Sequence, residues 1–556
     1  MRIRIIKPFL CLLALASAPA QEPQAAPAPQ EKKNDLLEAP LFPTRDWFRT
    51  RFETPSTQVT LQPIARLSDF VADGKLELSL ASYLELVMLN NTGILVQRLQ
   101  IEIPRHAITR SFARFDPTFG LTFRGQRSDS PVTSELQGGT ESVSTLIHPL
   151  SMDYTQTLST GTNLTVAFDG TRTSTDNRFA TYNPSYVSAL SFDFSQPLLR
   201  DRGAINKVPI MVARSRFRQT EYTLRDQVIL LVSQAENTYW NVIQARENLD
   251  LQNKFLELRG EALKRAQREL ELGALSPLDI YQPQADYASA EVAVIQARYQ
   301  LSQAEDALRR QIGADLAPDI RTLPIVLTET VLPPADAALL DKEESVAKAL
   351  KLRPDLLAVN QSLDIDDLNI RLATNSLRPD LALTGGFSGQ GRGGIFEQPG
   401  GAIIPGGPGD ALSKLFSFAF PTYAVGLRLS FPIRDRRAAA DLADATVQKK
   451  LDSLRLRATE QAVRLEVNNA VDQVESSKAS VKQATIARDF AQKRLEAEQK
   501  KYELGTTVLF FVLDAQTALN QRENEVLRQS INYRRNLVSY LVATGELLDV
   551  RGITIQ

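Results

Sequence analysis

The feature that most constrains this chain is a heptad pattern that occurs twice. Residues 219–313 and 451–545 align without a gap at an offset of 232, each passing from a helix through a Gly-marked tip to a second helix ending on Gly. Ala235, Val242, Leu249, Leu256 and Leu263 step by sevens, and Val467, Val474, Val481, Arg488 and Leu495 keep that register with one substitution. Beyond the tips, Ile280, Tyr287, Val294, Leu301 and Leu308 answer to Val512, Leu519, Val526, Tyr533 and Tyr540. An apolar residue every seven positions puts a narrow stripe on each helix, and that stripe must be buried against other helices. At 1.5 Å per residue, the roughly 69 residues from Ala204 to Leu272 predict a rod on the order of 100 Å long.

Length alone would give 556 residues three or four domains, but an internal repeat overrides that prior. Arg2, Arg4 and Lys7 precede an apolar run from Phe9 to Ala16, and Ala18-Pro19-Ala20 offers small residues for cleavage. That is the pattern of a secretory leader over 1–20. A Pro/Ala/Gln-rich tether and an extension fill 21–75, followed by a first repeat over 76–313 and a linker over 314–340. A second repeat occupies 341–545, with a tail over 546–556. The only cysteine, Cys11, lies inside the leader, so disulfides and Cys–metal sites are excluded downstream. The formal net charge is −1, and without the leader's three cations it is −4, which gives no electrostatic reason to expect nucleic acid. No later segment has the roughly 18 uninterrupted apolar residues of a spanning helix. If the chain crosses a membrane, it does so as strands.

A helix is expected from near Leu76, and a second match at an offset of 262 pairs Asn91-Thr92-Gly93 with Arg353-Pro354-Asp355. Each half then carries strands. Phe119, Leu121 and Phe123 alternate with polar or small residues, as do Leu190, Phe192 and Phe194. Leu381, Leu383 and Phe387 share a face in the second half, and Tyr423, Val425, Leu427, Leu429 and Phe431 alternate with Ala424, Gly426, Arg428 and Ser430. A period of two gives each strand one apolar and one polar face, which fits a soluble sandwich as well as a membrane barrel. Segments of about ten residues, aromatic-rich and joined by long Gly/Pro loops, shift the balance to a barrel. The glycine-rich stretch from Gly385 to Asp410 suits an exposed loop. A strand-like pair around Gly161, Met152 to Leu158 and Leu164 to Phe168, occurs only in the first half, either adding to the barrel or packing beside it. Four clear strands per chain are too few for a closed barrel, which cannot leave an edge unpaired in lipid, so several chains must close it.

From about 76 to 545 the chain resembles the TolC-type outer-membrane efflux proteins. The resemblance rests on the doubled plan, on Phe115-Asp116-Pro117 and Arg378-Pro379-Asp380 before strands, and on Gln196-Pro197-Leu198-Leu199 and Phe431-Pro432-Ile433 after them. Arg353-Pro354-Asp355 and the tip Lys501-Tyr502-Glu503-Leu504-Gly505 add to it. It implies a mixed α and β membrane protein, a homotrimer whose 12-stranded barrel is continuous with a 12-helix periplasmic tunnel. It also implies a place in the outer membrane of a Gram-negative-type bacterium. The partners implied are a periplasmic adaptor, an inner-membrane pump and outer-membrane lipid, with no cofactor. The activity implied is a passive exit duct for efflux or type I secretion. The competing reading of the same residues is a periplasmic structural coiled-coil protein with a soluble β module.

Gly273 and Gly505 each follow a long helix and read as caps in the left-handed conformation. Ser276-Pro277-Leu278-Asp279 reads as a capping box with proline at the first helical position. The resemblance makes Gly273, Ser276, Tyr502, Gly505 and Thr506 adaptor-docking tips, and gives acidic Asp279 and Asp514 a place around the periplasmic aperture. Phe511 stands where the family often has Asp, and across the repeat it pairs with Asp279. Leu509, Phe510 and Phe511 either form a hydrophobic constriction or pack between helices. His106 and His148, the only histidines, lie 42 residues apart with no metal pair or nucleophile beside them, and no catalysis is expected.

Overall fold

The computed structural model describes residues 67–132, 142–273, 276–331, 340–397 and 402–554. The leader over 1–20 and the tether up to residue 66 lie outside the described residues.

The described chain opens on two short strands, β1 (Val71–Ala72) and β2 (Lys75–Leu78). The helix expected from Leu76 begins instead at Leu80, because Leu76 and Leu78 alternate inward as a strand and Ser79 then caps the helix by accepting from the Ser82 amide. Three short helices follow, α1 (Leu80–Asn90), α2 (Thr92–Gln100) and α3 (Glu102–Ser111). Next come five strands, β3 (Thr118–Phe123), β4 (Gln126–Pro131), β5 (Ser142–Thr157), β6 (Asn163–Thr175) and β7 (Tyr182–Pro197). The first hairpin is α4 (Val208–Glu271) and α5 (Tyr281–Gln311), and its 64-residue arm is a rod of about 96 Å. It starts later than Ala204 because 203–207 tighten into a 3₁₀ turn before Pro209 at the helix start.

Strand β8 (Ile325–Leu327) returns to pair parallel with β2. The second half repeats the order with α6 (Lys342–Leu352), α7 (Pro354–Ser376), β9 (Asp380–Glu397), β10 (Ile403–Ile404), α8 (Pro408–Phe416) and β11 (Phe420–Ser430). The second hairpin is α9 (Arg436–Glu503) and α10 (Leu509–Thr544), and α11 (Leu547–Val550) closes the described chain. The two halves use corresponding positions alike. Asn91 donates to Gln311 at the end of α5, at 2.6 Å to its side chain, while Arg353 reaches Ala543 O at 3.4 Å near the end of α10. Gly313 and Gly545 both stop their helices at positive φ, +71° and +77°.

The heptad stripes face inward. Ala235, Val242, Val294, Leu308, Val467, Val474, Leu495, Leu519, Tyr533 and Tyr540 are all buried. The largest apolar cluster joins the upper parts of α4, α5 and α10 to α1, α11 and the small sheet, around Tyr83, Tyr239 and Trp240. Glu236, fully buried, is satisfied by the guanidinium of Arg551 at 3.0 Å, which ties the end of the chain to α4.

Apart from the small sheet β1–β2–β8, the strands form one sheet in the order β3/β4–β5–β6–β7–β9–β11/β10. Both β3 and β4 run along β5, and both β11 and β10 along β9, so the sheet has six tracks. One rung crosses all six as Phe119, Tyr154, Val166, Phe192, Phe387 and Tyr423. The next rung reads Gly120, Asp153, Ala167, Ser191, Ser388 and Thr422. One face is therefore apolar and the other polar or small. On the apolar face Phe119, Tyr423, Val425 and Leu427 are each more than 65% exposed, while on the same face Phe387 meets Phe418 and Gly389, Gly391 and Gly393 receive the segment that carries helix α8.

One alternative left open by the sequence is resolved and one expectation for the strands changes. The pair around Gly161 lies inside the sheet, between β3/β4 and β7. The stretch from Gly385 is not all loop, since β9 runs to Glu397 with partners on both sides. Its glycines have a packing reason. A Cβ at Gly391 would lie 1.9 Å from Ala411 O, and one at Gly393 2.3 Å from Gly407 O, so helix α8 rests directly on this strand. Residues 398–401 of the expected loop lie outside the described residues.

Candidate functional site at the hairpin tips

Both tips are built by the same local chemistry. At the end of α4, Leu272 N donates to Arg268 O, and Gly273 turns the chain with φ +76°. At the end of α9, Leu504 N donates to Lys500 O and Gly505 has φ +69°. A side chain at φ near +70° is strained, which is why glycine occupies both turns. Thr506 secures the second turn, its amide and hydroxyl both donating to Lys501 O at 2.9 Å.

The expected capping box at Ser276 does not form. Asp279 N donates to Ser276 O at 3.0 Å and Leu278 N to Ser276 Oγ at 3.4 Å, a turn rather than a helix start. Helix α5 begins at Tyr281, after Ile280, which offers no side-chain cap. Pro283 explains the delay: it lacks an amide hydrogen and fits a helix only in the first turn, so an earlier start would have placed it inside. Ser276 and Asp279 are both exposed.

Below this surface the tip has its own core of Ala266, Ile280, Leu495, Leu509, Val512 and Leu519, drawn from α4, α9 and α10 and from the residue just before α5. Leu509 belongs to it and packs. Phe510 and Phe511 do not, standing 60% and 48% exposed with their rings edge to face at 5.6 Å. The packing alternative therefore holds for Leu509, whereas the two phenylalanines are free of the chain's own core. Asp514 is held by Arg494 of α9 at 2.7 Å.

Two links tie the hairpins together here, and neither was expected from the sequence. Arg259 of α4 is 4% exposed. It donates to Leu513 O at 3.1 Å and Gln516 Oε1 at 3.4 Å, bonds the Thr517 hydroxyl, and lies 3.4 Å from the Asp286 carboxylate. Its ring neighbour is Phe255, 4.8 Å from the guanidinium carbon. Burial lowers its affinity for a proton and Asp286 raises it. The second link runs from Tyr502 of α9, whose hydroxyl donates to Glu269 of α4 at 2.5 Å. Burial, then Glu269, push this phenol up to about 12. A signal for Arg259 was present: it stands three residues after Leu256, where the heptad expects an apolar residue and a charge must find partners.

Among the described residues no helix is long and apolar enough to cross a membrane, and no group of three or more His, Cys, Asp or Glu side chains is placed to hold a metal.

Known proteins match this architecture. Residues 84–314 and 346–546 match the family described as outer membrane efflux protein. Outer membrane protein TolC of Escherichia coli is 27% identical over 325 residues, 58% of this chain and 62% of the relative. Outer membrane efflux protein BepC of Brucella suis is 25% identical over 321 residues, 56% of this chain and 63% of the relative. The chain thus spans about three-fifths of the length of these curated relatives. Among solved structures, the CmeC outer membrane channel of Campylobacter jejuni superposes with a TM-score of 0.59 at 16% identity, covering 86% of this chain and 87% of that one. With its two matched segments falling on the two helix–strand–hairpin halves, the chain belongs to the outer membrane efflux protein family.

Proposed function

We propose that the protein is a passive exit duct of the outer membrane, in which three copies close one barrel through the lipid and one helical tunnel beneath it. Each chain brings two copies of the hairpin-and-strand unit. The tips at Gly273, Ser276, Tyr502, Gly505 and Thr506 dock a periplasmic adaptor, and an inner-membrane pump supplies the energy. The observation that carries this reading is the junction, within one chain, of rods of about 100 Å with a sheet one face of which exposes Phe119, Leu121, Tyr423, Val425, Leu427 and Leu429. A soluble coiled-coil protein would leave that face in water, where a contiguous apolar surface favours association.

In the same reading Asp279, Phe511 and Asp514 surround the mouth of the tunnel. Phe510 and Phe511, exposed and unclaimed by the tip core, supply a constriction that sheds water. Heat-modifiable trimers in outer-membrane fractions, conducting in planar bilayers, are the expected behaviour, and a soluble periplasmic protein would sink the proposal. Phe511→Ala is expected to raise single-channel conductance. Unchanged conductance with a destabilised trimer would assign Phe511 to packing between chains.

A further inference from the structure

The hairpin β5–β6 has no counterpart in the second half of the chain, where β9 and β11 pair with each other directly. In the first half β3 pairs with β5, and only beyond β6 is β7 reached. The hairpin is knit in on both sides. β5 and β6 pair from Thr145↔Thr175 to Thr157↔Asn163, and β6 and β7 from Asn163↔Ser195 to Thr173↔Ser185.

It is also fastened at its end. Gly203 N donates to Thr160 O at 2.9 Å, and Thr162 bonds the Gln196 side chain. Gly161, with φ +92°, comes so close to the chain below that a Cβ there would sit 2.4 Å from Asp201 O. The turn of the hairpin is thus seated on the collar from which α4 descends. Its side chains keep the phase of the sheet. Val166 and Phe168 pair with Phe192 and Leu190 on the apolar face, while Ala167 and Asp169 pair with Ser191 and Ala189 on the other.

We infer that β5 and β6 are part of the membrane wall, so that each chain contributes six strands and not the four that the resemblance implied. This rests on the trimer proposed above. Edge β3/β4 of one copy then pairs with edge β11/β10 of the next, because lipid satisfies no open edge. Three copies close an 18-stranded wall. Barrel diameter grows roughly linearly with strand number, so this wall is about 1.5-fold wider than a 12-stranded one. The barrel is the broad part of the duct, and its narrowing falls to the helical mouth.

Single cysteines in β6 test this in a background lacking Cys11. Val166→Cys and Phe168→Cys are expected to react with a lipid-soluble maleimide and resist a charged thiosulfonate, and Ala167→Cys and Asp169→Cys to do the reverse. Loss of that alternation would overturn the inference. Strands counted by electron cryomicroscopy of the protein in nanodiscs decide independently: 18 in three copies are expected, and 12 with the hairpin outside the wall would refute it. Six strands per chain in another number of copies would uphold the hairpin's place while overturning the trimer.

Discussion

Arg259 puts a guanidinium at a heptad position held by Thr238, Ala245, Gln252 and Ala266 in the other turns, and it survives there because α10 offers it a carbonyl, an amide and a hydroxyl. Truncating one side of such a buried set leaves its partners unsatisfied, at roughly 2–4 kcal/mol. Arg259→Ala is expected to free the second hairpin from the first, lowering the unfolding midpoint and raising conductance in bilayers. At the same scale Asp366 of α7 faces Asp452 of α9. Burial, then the Asp452 charge, raise Asp366 to about 6. Asp452, though also penalised by burial, is held low by Gln448 and Arg455. Lys449 and Asp367 form an ion pair beside them at 2.5 Å. Since the folded-state value of Asp366 lies above the ordinary one, its contribution is fully present below the usual carboxylate range and is lost as pH rises through about 6. Asp452 acts in the opposite sense, its contribution fading as pH falls below that range. Asp366→Asn is expected to flatten the fall of the thermal midpoint between about pH 4 and 6.

At the level of elements, the long helices follow from their stripes and the strands from their alternation, but two elements depend on what lies across from them. Helix α8 lies on a track of glycines in β9, with Leu415 and Phe418 against Gly389 and Ala411 against Gly391. Gly391→Val leaves no room for it, because even a methyl would meet Ala411 O and Leu415 N. The variant is expected to lift α8 from the sheet, read as protease cleavage within 402–419 that the parent resists. Read as sequence, the same glycines signalled a loop. Nothing local distinguishes a glycine that frees the chain from one that admits a neighbour. The start of α5 shows the same limit: Ser276 and Asp279 satisfy a capping pattern, and Pro283, seven residues on, overrules it.

Across the whole molecule, the exposed part of the apolar face and the two open edges of the large sheet, among the described residues, define what the chain must meet. A charge in the middle of the lipid-facing band costs about 2–4 kcal/mol. Leu427→Arg, on that face, is expected to lower the urea midpoint of protein folded into vesicles by a corresponding amount, whereas Arg428→Leu on the opposite face leaves it nearly unchanged. The sequence by itself determined the paired heptad hairpins, the glycine tips and the alternating strands, because periodicity and backbone conformation are properties of neighbouring residues. The tertiary structure alone decided that the hairpin around Gly161 belongs to the sheet, that Leu509 packs while Phe510 and Phe511 stand free, and that Arg259 and Tyr502 join the hairpins. Each of these depends on residues far apart in the chain, and no local pattern reports which distant partner a strand edge or a buried charge will find.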